Sequence, residues 1–193
     1  MLSGARSRLV VQTEGMSFDS MLFPQGVEII VGGSPAVKKC TSTDQSIEVI
    51  GHGTSLMMED SRVFGSAGDG VYCLGKFNAM RCTLEDNRDC GVWLYGQDSS
   101  VELMDCVIRN NAQNGVHVNH GKAMLRSGRI SENQDCGVVA LSGAKITVAS
   151  AEEDKPQTVC KDNMGSNWVT EAGGRIIGIP QEKINVRNEG PVC

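Results

Sequence analysis

Aromatic residues make up only 4 per cent of this 193-residue chain, and prolines number 5. A core built from a sequence that is 40 per cent hydrophobic must therefore be filled by small aliphatic side chains. The length suits one domain. Scarce proline beside 23 glycines, well above the average share of about 7 per cent, indicates many tight bends and excludes disorder or a collagen-like repeat. No long apolar run of about 18 residues occurs, so neither a transmembrane helix nor a membrane partner is expected. A basic patch is missing too: the net charge is −5, and the nearest approach to one is Arg6 with Arg8. A nucleic-acid partner is not expected, because phosphate binding needs clustered cations. The first twenty residues lack a continuous apolar stretch of signal-peptide length, and no N-x-Ser/Thr motif occurs. The eight cysteines include no C-x-x-C pair, which excludes a zinc ribbon or a thioredoxin-type site. Reduced thiols and a cytoplasmic location are expected.

What the chain does have is a phrase written three times. "NRDCGVWLYG" begins at Asn87, "NAQNGVHVNHG" at Asn111 and "NQDCGVVALSG" at Asn133, at spacings of 24 and 22 residues. Three residues before each Asn lie Leu84, Ile108 and Ile130, and five before lie Cys82, Cys106 and Gly128. Four and five residues after come Gly91, Gly115 and Gly137, then Val92, Val116 and Val138. The positions between vary and are mostly polar. Apolar slots of period 2 mark strands with one buried face. A period of 22–24 residues with no helical pattern makes each copy one coil of a β-solenoid. Fainter copies occur before and after. Asn163 takes the Asn slot after a gap of 30, so "SAEEDKPQ" (Ser150 to Gln157) is expected as an inserted charged loop.

The segments "VELMDCVIRNNAQNGVHV" and "AMLRSGRISENQDCGVVAL" carry a resemblance to the parallel β-helix repeat of the pectate-lyase-like superfamily. It implies an all-β, right-handed parallel β-helix of about six to seven coils. Handedness rests on that resemblance alone. The expected organisation is an N-terminal cap over residues 1–25, the β-helix over 26–179, and a C-terminal strand or tail over 180–193. The superfamily contains lyases, hydrolases and epimerases as well as non-catalytic binding and scaffold domains, so function must come from particular side chains.

In a solenoid, equivalent residues of successive coils stack about 4.8 Å apart. Asn87, Asn111, Asn133 and Asn163 then form a structural ladder, with Asn accepting a left-handed bend and Gly four residues on permitting the next one. Cys82 and Cys106 become neighbours, expected as free thiols acting as small hydrophobes. Glu85 should sit beside Arg109, and Arg81 beside Asp105.

Function belongs on outward columns. One column reads Tyr72, Trp93, His117, Val139, and the next reads Leu74, Tyr95, Asn119, Leu141. Tyr72, Trp93, Tyr95, His117 and Asn119 are the candidate residues for ligand or partner binding. Such rings stack sugars, stabilise a sheet by packing on one another, or bury themselves against another protein. The leading reading is a non-catalytic binding or scaffold module for a carbohydrate or a protein, with a homodimer through this face as one form. The alternative is a polysaccharide-active enzyme, a lyase, hydrolase or epimerase. Its candidate acids are Asp86 and Glu132, two coils apart, with His117 as a base. No Asp-rich cluster marks a metal site. No cofactor is expected, with calcium only in the enzymatic case.

Overall fold

Alternate side chains of Lys76–Met80 face opposite ways: Phe77 and Ala79 are buried while Lys76 and Asn78 are exposed. The same alternation recurs in Ser100–Met104 and Lys122–Arg126. These are strands with one wet face, and a single such strand cannot be stable until a neighbour pairs with each edge. The neighbour is supplied by the next copy of the repeat.

The computed structural model describes residues 7–11, 14–23, 27–31, 33–43, 46–51, 53–150 and 157–187. Among these residues, parallel strands form three sheets of nine, eight and seven members, called sheets A, B and C below. Each coil gives one strand to each sheet in turn. The coil preceding Asn87 runs Val71–Cys73 in A, Lys76–Met80 in B and Thr83–Glu85 in C. Every strand of this coil pairs in parallel with its counterparts one coil before and one coil after. The chain is thus an all-β parallel solenoid. Between residues 26 and 179, six described coils carry all three strands and a further one carries two, in sheets A and B.

Ser7–Val11, Glu14–Asp19 and Leu22–Phe23, within the expected cap, are the outermost strands of the three sheets. At the other end Ile184–Arg187 pairs with Trp168–Glu171 as the last strand of sheet A. Most of the expected charged loop, 151–156, lies outside the described residues. The strands flanking it, Lys145–Ala149 and Val159–Lys161, keep register with the preceding coil, so the insertion leaves the stack undisturbed.

Inward columns fill the interior. Leu84, Ile108 and Ile130 stand in direct register, each no more than 2 per cent exposed. Among the described residues Phe77 is the largest side chain that is fully buried, and those that follow it are aliphatic. Burying such a side chain contributes about 1.5–3 kcal/mol.

The Asn column forms an unbroken ladder. Asn87 Nδ2 donates to Asn111 Oδ1 at 2.8 Å, Asn111 to Asn133 at 2.9 Å, and Asn133 to Asn163 at 2.8 Å. Each Oδ1 also accepts the backbone N–H of the preceding rung. The left-handed bend, however, falls one residue earlier than the sequence suggests. Asp86, Asn110, Glu132 and Asp162 have φ between 56° and 61°, with Gly65 at 68° in the coil before. The ladder Asn must turn its amide inward and along the stack, so the preceding residue takes the strained backbone and lets its side chain point to solvent.

The glycine expected to permit a bend serves a different purpose. Gly115 is not left-handed; a Cβ there would lie 2.5 Å from Ile130 Cγ2 and 2.7 Å from the Gly137 carbonyl oxygen of the next coil. It is needed for close approach between coils. The cysteine slot also differs from a purely apolar role. Cys82 and Cys106 donate to the carbonyls of Met80 and Met104 at 3.3 and 3.4 Å, as Ser61 Oγ does to Glu59 at 2.8 Å. The thiol closes the sheet B to sheet C bend. All seven described cysteines are free.

Surface charges follow the register. Glu85, buried behind two guanidiniums, accepts from Arg109 Nε at 2.7 Å and from Arg62 Nε at 2.6 Å. Arg81 turns toward the preceding coil, donating to Asp60 at 2.7 Å and pairing with Glu59.

Candidate functional site

The outward column of sheet A carries the aromatic candidates. Tyr72 is in register with Trp93, Trp93 with His117, and His117 with Val139. The Tyr72 and Trp93 rings meet edge-on with centroids 5.7 Å apart, and Trp93 and His117 are tilted at 5.5 Å. Such packing gains about 0.5–1.5 kcal/mol per pair beyond area burial. In the next column Tyr95 pairs with Asn119. His120 sits at the end of that strand in a left-handed bend and packs edge-on against Tyr95 at 6.1 Å. The five candidate binding residues therefore lie on one face across three coils. Tyr95 is exposed, and the other four are half-buried.

Beyond these coils the face changes. Val139, Leu141, Val169 and Cys136 form a small apolar cluster of their own on the outside of sheet A, each no more than 6 per cent exposed. Arg187 Nη2 reaches Cys136 Sγ at 3.3 Å beside it. The aromatic patch is thus bounded by Glu48, in register with Tyr72, at one end and by buried aliphatics at the other.

Two polar atoms in the patch, Trp93 Nε1 and Asn119 Oδ1, are shielded and have no hydrogen-bond partner among the described residues. His117 is better supplied. Asn114 Nδ2 contacts its Nδ1 at 3.3 Å. An amide NH2 can only donate, so His117 Nδ1 accepts and the ring proton sits on Nε2. Burial pulls the His117 pKa below its ordinary value, partly opposed by the Asp135 charge. The ring is held neutral.

Asn114 belongs to a column that sequence reasoning overlooked. The residue before each conserved-phrase glycine is Asp69, Cys90, Asn114 and Cys136, and all four are buried. Asp69 Oδ1 accepts the Cys90 N–H at 2.9 Å and Asn114 Oδ1 accepts the Cys136 N–H at 3.1 Å. The carbonyl-bearing side chains occupy alternate coils, each satisfying the backbone of the next. Burial pushes the Asp69 carboxyl up to about 6, and the nearby Asp89 charge adds to that. A fixed position three residues before Tyr72 and His117 was the available signal.

The proposed acid residues are not gathered into this site. Asp86 and Glu132 stand on the exposed bend between sheets C and A, and Glu132 Oε1 lies 3.7 Å from Arg129. Among the described residues no group of three or more His, Cys, Asp or Glu is arranged to hold a metal ion, and no helix is long and apolar enough to cross a membrane.

Stacked parallel strands, an internal Asn ladder and side chains displayed on flat outer sheets define a parallel β-helix protein. Residues 11–151 match the model of the right-handed β-helix region, and the chain belongs to that family. Among solved structures, pectate lyase Pel9A resembles it with a TM-score of 0.50 at 11 per cent identity. The likeness covers 89 per cent of this chain and 59 per cent of the lyase, so this chain spans little more than half the lyase's length. No curated protein matches the sequence.

Proposed function

We propose that the chain is a non-catalytic β-helix binding module, with the outer face of sheet A engaging a carbohydrate. The observation that supports this reading is the row of Tyr72, Trp93 and His117 rings on one outer face, with exposed Tyr95 packed against His120 beside it. A sugar offers hydroxyls that donate and accept, and a C–H face that packs on aromatic rings. The Nε2–H of neutral His117 and the Tyr95 hydroxyl add polar handles to the same face. A protein partner, including a second copy through this face, is the other occupant the rings suit.

A glycan array followed by calorimetry tests the reading. Binding without turnover, lost in Tyr72→Ala and Trp93→Ala while the fold is kept, is the expected result. Crosslinks that bury Trp93 against another chain, with no glycan bound, would replace the sugar by a protein. The polysaccharide-active alternative has the fold likeness in its favour and would take calcium as its cofactor. It requires release of reducing ends or unsaturated uronates that Asp86→Asn or Glu132→Gln abolishes.

A further inference from the structure

The outer surface carries two straight rows of charge that match each other coil by coil. The first runs along sheet B, where strand pairing aligns Ser55, Lys76, Ser100, Lys122 and Lys145. Arg175 continues it. All four of its cations are exposed, and none has a carboxylate partner among the described residues. Like charges stacked at strand spacing repel. Elsewhere exposed charges of neighbouring coils pair off with opposite sign, as in Arg62–Glu85–Arg109 and Lys38–Glu59–Arg81.

The second row is the left-handed position of the bend between sheets C and A: Gly65, Asp86, Asn110, Glu132, Asp162. Its nearly constant φ projects the side chains in one direction. Taken coil by coil, the first row is neutral, positive, neutral, positive, positive. The second is neutral, negative, neutral, negative, negative. The rows lie on different sides of the coil and share one axial spacing of about 4.8 Å.

We propose that this chain self-associates side by side, with the solenoid axes parallel and without axial offset, the cation row of one copy lying on the acidic row of the next. Only a partner with the same coil repeat matches the sequence of charges at every level, and the chain itself carries that partner row. The contact is heterologous: each copy retains one free row, so association closes into a ring or continues as a row of molecules. Arg129 and Lys161, which lie 3.7 Å and 3.0 Å from Glu132 and Asp162, flank the acidic row, and their exposed pairs must open or be shared. Arg88 also stands exposed beside Asp86. Each intermolecular pair is weak on its own, so the assembly depends on their alignment and on low salt. Its residues are separate from the aromatic face of sheet A.

Sedimentation velocity over a range of protein concentration tests this, comparing about 0.01 M with about 1 M salt, where the Debye length falls from about 30 Å to about 3 Å. Wild type should associate at low salt and be monomeric at high salt. Lys122→Glu and Glu132→Lys should each weaken association roughly tenfold, with unchanged melting curves. The K122E/E132K double variant, a swap within one coil, should restore it. The K122E/D162K variant, a swap between coils, should not. A wild type that stays monomeric at low salt, association indifferent to salt, or equal rescue by both double variants overturns the proposal. So does capture of added polyglutamate by the cation row without self-association.

Discussion

Asn111 Nδ2 donates to Asn133 Oδ1 at 2.9 Å while Asn111 Oδ1 accepts from both the side chain and the backbone N–H of Asn87. One buried amide therefore holds three coils. Asn111→Ala should leave the Asn87 donors unmet in a dry interior and cost about 2–4 kcal/mol. Asn163→Ala, at the more exposed end of the ladder, should cost less. Urea unfolding compares the two, and equal midpoints would refute the ladder's part in stability.

Asp69 is a charge where the fold needs only a carbonyl oxygen. Asn114 occupies the same slot two coils on and meets the same demand as an amide. Asp69→Asn should stabilise the protein at pH 7, on the order of 2 kcal/mol. The sign follows from linkage. A carboxyl raised to about 6 in the folded chain and near 4 in the unfolded one favours the native state as pH falls between those values. Wild type should gain on the variant from pH 6 to pH 4. Chemical denaturation at both pH values decides it, and a constant gap rules the account out.

Two glycines separate steric need from backbone need. At Gly115 an added methyl meets the next coil at 2.5 Å, whereas at Gly143 nothing lies within 4 Å but φ is 76°. Gly143→Ala should cost about 1 kcal/mol for its left-handed backbone. Gly115→Ala should cost about 3 kcal/mol or more, since adjacent coils must part. Thermal melts of the two variants should differ in this order.

His117 should titrate below the ordinary histidine value of about 6.5, as the Nε2–H tautomer. Its depressed pKa removes stability as pH falls from about 6.5 through the folded value, because the unfolded chain then binds the proton more tightly. Asn114→Ala should raise the His117 pKa by removing the donor that favours the neutral ring. Nitrogen-15 shifts of the imidazole report both tautomer and pKa.

Inward columns such as Leu84–Ile108–Ile130 could be read from sequence because one physical demand repeats at one spacing. The Asn ladder could be read for the same reason. The left-handed position just before it could not, since Asp86, Asn110, Glu132 and Asp162 share a backbone shape and little side-chain chemistry. Asp69, Cys90, Asn114 and Cys136 were hidden in the same way: the type changes from coil to coil while the slot stays buried. Alternation correctly turned Tyr72, Trp93 and His117 outward, but period 2 carries no information about what covers a face. Val139 and Leu141 occupy outward slots and are nevertheless buried.

The ladder also has a direction. Every side-chain amide from Asn87 to Asn163 donates toward the C-terminal end, and the last donates to Asn167 Oδ1 at 2.8 Å. At the opposite end the Ser66 N–H closes onto Asn87 Oδ1. Each rung is at once a donor and an acceptor of the same kind. A duplicated coil bringing its own Asn would therefore meet an acceptor on one side and a donor on the other, so the ladder sets no length of its own.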